Sequence, residues 1–80
     1  MATADLAFRL RLGAVLREAR LHAGLSQEEA AYRADLHRTY LSDLERGRKA
    51  ATVEALAAIA AALGTKAHLL VRAAEEAEPI

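Results

Sequence analysis

Residues 26–47, SQEEAAYRADLHRTYLSDLERG, constrain the fold more tightly than any other part of the chain. Small or aliphatic residues recur at helical spacing on either side of Asp35-Leu36-His37: Ala30, Ala31 and Ala34 before it, Leu41 and Leu44 after it. The pattern predicts a helix, a tight turn and a second helix. Ser26 with Glu29 three residues on forms a capping box, in which hydroxyl and carboxylate each satisfy a backbone N–H, so the first of these helices begins at Gln27. Helices this short cross steeply only where the side chains between them are small, which places the three alanines at the crossing. Asp35 is the turn residue able to take a left-handed backbone, although glycine would fit more easily, and Leu36 anchors the turn in the core. Burying Leu41 and Leu44 turns Arg38, Thr39, Ser42 and Arg46 towards solvent. Those cations and short hydroxyls suit phosphates and base edges. Taken alone, the same periodicity also fits two helices of any small all-α domain with a solvated polar face.

The rest of the chain narrows the choice. Its 80 residues suffice for one domain with a modest core. Alanine supplies much of the apolar content and the aromatic residues are Phe8, Tyr32 and Tyr40, which predicts closely spaced helices, an all-α five-helix domain, and not a sheet packed with large rings. The absence of cysteine excludes a disulfide scaffold, a thiolate metal site and a thiol nucleophile. His22, His37 and His68 stand singly, without metal spacing, and no glycine-rich phosphate loop or nucleophile motif occurs, so no catalytic residue, metal or cofactor is expected and the chain does not read as an enzyme. No apolar run approaches the roughly 18 residues of a membrane span and the N-terminus lacks the order of a signal peptide, from which no membrane association and a cytoplasmic location are expected.

The formal net charge is zero, which argues against a non-specific, charge-driven nucleic-acid binder. The distribution is uneven. Residues 1–50 hold nine Arg or Lys against seven Asp or Glu, an excess of +2, whereas residues 51–80 hold two against four, −2. The basic excess lies with the helix-turn-helix pattern.

Taken in order, residues 1–4 are expected to fray. Residues 5–23 read as a helix with Leu12, Val15, Leu16, Ala19 and Ala23 on one face and Gly24 at its end. Gly13 weakens that helix near its middle, which leaves residues 5–11 open to two readings: an arm carrying Arg9 and Arg11, or an apolar turn in which Leu6, Phe8 and Leu10 pack while both arginines are solvated. Gly47 ends the second helix of the pair, and residues 48–51 form a basic loop. Thr52 then caps a fourth helix, with Val53, Leu56, Ala57, Ala60 and Leu63 on one face and Gly64 at its stop. Thr65 caps a fifth helix over residues 65–76, before Pro79-Ile80 closes the chain. The domain core is thus expected in residues 12–64. Leu69, Leu70 and Val71 form an apolar cluster assigned to dimerisation.

In order and spacing, the words GLSQEE (residues 24–29) and YLSDLERG (residues 40–47) resemble the lambda-repressor-like helix-turn-helix family of Cro and xenobiotic-response-element regulators, over residues 16–64. The run HRTYLS (residues 37–42) followed by a short fifth helix is similar to the small controller proteins of restriction–modification systems. The resemblance implies a regulator that binds double-stranded DNA as a homodimer on a two-fold symmetric operator. It implies that Gln27 holds a phosphate and can also brace the recognition helix, that His37, Arg38, Thr39 and Ser42 enter the major groove, and that Tyr40 and Lys49 meet the flanking backbone. Arg38 suits a guanine, Thr39 a thymine methyl, and Ser42 either a base or a phosphate. For Arg46, Arg48 and Lys49, phosphate contact competes with simple solvation after a helix C-terminus. Arg20 and Glu45 fall where the family has a buried ion pair. The chain departs from the family pattern at Ala30, Asp35 and Ala51, where leucine, glycine and proline are common. A protein-interaction module, antitoxin-like or bridging, with a second protein as main partner, is the alternative function.

Overall fold

The computed structural model describes residues 2–77 and contains, among them, five helices and no strand. These are α1 (Ala2–His22), α2 (Gln27–Ala34), α3 (Arg38–Glu45), α4 (Val53–Ala62) and α5 (Ala67–Glu76). The N-terminal helix packs on α3 and α5, α2 packs on α3 and α4, and α4 on α5, so the helix-turn-helix is held from two sides. Leu16, Leu41 and Ile59, from α1, α3 and α4, meet at the centre with their side chains fully buried.

The predicted start of α2 is found in full. Ser26 Oγ accepts the Glu29 N–H at 3.0 Å and the Glu29 carboxylate accepts the Ser26 N–H at 2.9 Å. Ala30, Ala31 and Ala34 are buried, on the helix that packs against both α3 and α4. Thr52 Oγ1 likewise caps α4 by accepting the Ala55 N–H at 3.0 Å.

Elsewhere the packing departs from the periodicity. The first helix begins at Ala2, inside the stretch expected to fray; Met1 and the closing Pro79-Ile80 lie outside the described residues. Residues 5–11 are part of α1 and neither an arm nor a separate turn. Phe8 packs on the core and Leu10 against Gly47, but Leu6 is exposed. The arginines of this stretch are not simply solvated: Arg11 Nε donates to Ala74 O at 3.1 Å, and Arg9 Nε is buried without a hydrogen-bond partner among the described residues.

Ala23 is exposed, and Leu25, one residue past the cap, is buried in its stead. On α4 the buried face is Ala55, Leu56, Ile59 and Ala60, while Val53 and Ala57 are exposed. That helix is apolar nearly all round, so its sequence carries no contrast by which to choose a face. Thr65 does not cap α5: Lys66 takes the N-cap position, without a side-chain capping bond, and Thr65 belongs to the close of α4, its N–H donating to Ala60 O at 2.8 Å beside the Gly64 N–H to Ala61 O. Leu70 belongs to the monomer's core at 4% exposure, so it is not available as a dimer contact; Val71 is half-buried and Leu69 exposed.

Candidate nucleic-acid interface

The turn between α2 and α3 is closed by its own backbone. Asp35 adopts φ 57°, ψ 44°, the left-handed region, which lets the Leu36 N–H reach Ala31 O at 2.9 Å and the Asp35 N–H reach Tyr32 O at 3.1 Å. An aspartate thus does what glycine does at three other helix ends of this chain, at a modest conformational cost. Leu36 is half-buried against the core, and His37 stands at the N-cap of α3 without a side-chain capping bond.

Along α3, Leu41, Leu44 and Glu45 face inward. His37, Arg38, Thr39 and Arg46 are exposed and Ser42 is half-buried, so the strip expected to meet DNA does lie on one outward side. No acidic residue occupies the first turn of α3, which leaves the positive end of the helix dipole uncompensated beside Arg38. Arg48 and Lys49 are exposed in the loop that follows. Tyr40 is half-buried against the core, and its hydroxyl accepts the Thr52 N–H at 3.4 Å, tying α3 to the start of α4. The hydroxyl retains its proton to donate outward.

Behind the strip lies a buried carboxylate. Arg20 Nε and Nη2 donate to Glu45 Oε2 and Oε1 at 2.7 and 3.0 Å, and Arg20 Nη1 donates to Leu25 O at 2.9 Å. The hydrogen bonds to Glu45 push the Arg20 guanidinium above its ordinary pKa, against the opposing effect of burial. Gln27 Nε2 donates to the same Glu45 Oε1 at 3.0 Å. The first residue of α2, the recognition-like helix and α1 are therefore fixed to one another through a single side chain, and Gln27 is half-buried there.

Two contacts beneath and beside this strip are not read from the sequence. Gly13 sits where α1 crosses α3, and a Cβ on it would stand 2.5 Å from the carbonyl oxygens of both Leu44 and Glu45. Asp43 lies on the outward half of α3 with its carboxylate 3.5 Å from Lys49 Nζ. The spacing of Asp43 and Lys49 across the Gly47 turn is the only signal in the sequence that pairs them.

The helix-turn-helix family model matches residues 16–70. The control protein C.BamHI of Bacillus amyloliquefaciens is 42% identical over 59 residues, which cover 72% of this chain and 73% of that one. The crystal structure of the clp gene regulator ClgR from Corynebacterium glutamicum superimposes with a TM-score of 0.81 at 38% identity, covering 85% of this chain and 72% of ClgR. That of the restriction–modification controller protein C.AhdI from Aeromonas hydrophila does so with a TM-score of 0.76 at 36% identity, covering 84% and 97%. The chain belongs to the helix-turn-helix family of Cro/XRE-type DNA-binding transcription regulators.

Proposed function

We propose that the protein regulates transcription as a homodimer on a two-fold symmetric operator, as a controller of the restriction–modification type. The observation that carries this reading is the outward strip of α3: Arg38, Thr39, Ser42 and Arg46 on one side of a helix whose other side is core. In the major groove Arg38 bonds guanine O6 and N7, and Thr39 packs its methyl on thymine. His37 reaches base edges at the start of α3, and Ser42 serves a base or a phosphate. Gln27, Tyr40, Arg46, Arg48 and Lys49 hold the backbone on either side.

One copy, 32 Å in its longest extent, presents one such helix, and one helix reads few base pairs. A second copy places another α3 one helical turn away, about 34 Å. An apolar groove of about 650 Å³ between α1 and α5, lined by Val15, Ala19, Leu63 and Ala73 with the exposed Leu69 at its lip, offers the contact. Similarity to C.BamHI and C.AhdI supports the controller assignment.

The test is selection of bound duplexes from a random pool at near-physiological salt, followed by sequencing. A motif with two-fold symmetry is expected. Arg38→Ala should relax one guanine per half-site, at a cost of about 1–3 kcal/mol. Failure of the folded protein to enrich any motif would sink the proposal.

A further inference from the structure

Residues 38–50 carry two carboxylates, and the fold treats them oppositely. Glu45 is sealed inward against Arg20 and Gln27. Asp43 is on the outward half of α3, one turn after Thr39 and one turn before Arg46, both exposed. A bare carboxylate there would face phosphates and the N7, O6 and O4 acceptors of the major groove, all of which repel it.

In the free protein the carboxylate is not bare. Lys49 folds back across the Gly47 turn, bringing Nζ to 3.5 Å from Asp43 Oδ2; the aspartate side chain is 18% exposed and the lysine 58%. The turn itself is closed by the Arg48 N–H to Asp43 O at 2.9 Å and the Gly47 N–H to Leu44 O at 3.1 Å, so its shape does not depend on the ion pair. A pair with so exposed a lysine adds little to stability and opens easily.

Building on the reading of α3 as the major-groove helix, we propose that Asp43 and Lys49 exchange partners on DNA. Lys49 passes from the carboxylate to a backbone phosphate, and the released Asp43 carboxylate accepts a hydrogen bond from the N4 amino group of a cytosine. A carboxylate only accepts, and the amino groups of cytosine and adenine are the donors of the major-groove edge. Adenine N6 sits beside the acceptor N7, which suits an amide and repels a carboxylate, so cytosine is the partner. Asp43 is then a specificity-determining residue at one position of each half-site. On DNA without cytosine there, Lys49 stays on the aspartate and neutralises it.

The proposal is tested by sequencing duplexes retained from a random pool by the wild-type chain, Asp43→Asn, Asp43→Ala and Lys49→Met, with circular dichroism to establish that each is folded. The wild type is expected to restrict one position per half-site to cytosine. Asp43→Asn should move that preference to adenine, since an amide bonds N6 and N7 together, and Asp43→Ala should make the position indifferent, a loss of about tenfold in discrimination. Lys49→Met should keep the cytosine, weaken binding to all sequences alike, and reduce the salt slope by about one per half-site. A motif unchanged at every position in both Asp43 variants overturns the exchange. A wild type that enriches no motif overturns it together with the reading of α3, and the two failures are told apart because the second shows without any substitution.

Discussion

At Glu45 three donors converge on one buried carboxylate, two from Arg20 and one from Gln27. Removing it strands the Arg20 guanidinium in a site where only Leu25 O remains to accept from it. Glu45→Ala should therefore cost about 3–5 kcal/mol, whereas replacing Arg20 and Glu45 together with apolar residues should cost much less, because the pair's attraction and its desolvation nearly offset each other. Chemical denaturation of the single and double variants measures the difference; equal losses would remove the stranded charge from the explanation. Gly13 presents the opposite case to its helix propensity. In an exposed helix Gly→Ala stabilises by about 1 kcal/mol. Here the added methyl meets two backbone carbonyls that have no way to yield except by moving α1 off α3. Overpacking wins, and Gly13→Ala should lose about 1–3 kcal/mol in the same assay. The sequence marks Gly13 as a weak point of a helix; that it is a contact point follows only from where α3 ends.

Among the elements, the start of α2 was legible because a capping box is local chemistry, decided by residues three apart. It also carries a pH signature. The Ser26 N–H, and after it the Ser26 side chain, hold the Glu29 carboxyl below its ordinary range. The unfolded chain then binds the proton more readily than the folded one, so the contribution is complete above the ordinary value of about 4.3 and is lost as pH falls through the lower, folded value. Melting curves between about pH 6 and 3 should show a steeper acid decline for the wild type than for Glu29→Ala, and parallel declines would remove Glu29 from the acid limb. The face of α4 was not legible. Its run of Val, Ala, Leu and Ile offers no polar side, and Val53 and Ala57 are exposed because burial there is assigned by where α2 and α5 lie against it. The start of α5 lies beyond Thr65 for a related reason: Thr65 is a good cap by type, but it is held in the turn that closes α4 and the helix begins after Lys66.

For the molecule as a whole, the separation of Leu69 from Leu70 decides how dimerisation is to be probed. Leu70 is interior to the monomer, so an Asp there unfolds the chain and says nothing about association. Leu69 is 44% exposed at the lip of the α1–α5 groove. Leu69→Asp should leave the melting of the monomer nearly unchanged while shifting sedimentation from dimer to monomer; a wild type that stays monomeric at all concentrations would contradict the dimer. No single helix among the described residues is long and apolar enough to cross a membrane, and no group of three or more His, Asp or Glu placed to hold a metal ion occurs among them. The sequence by itself determined that there are five helices, the capping box, the left-handed turn at Asp35 and the inward and outward sides of α3, because each is set by neighbours within a turn or two of chain, and it pointed to the family through the order and spacing of two words. Tertiary structure alone decided the continuity of α1, the buried face of α4, the interior place of Leu70, the Gly13 crossing and the pairing of Asp43 with Lys49. Those depend on which surfaces meet after the chain has folded, and a pattern read along one helix holds no record of the helix packed against it.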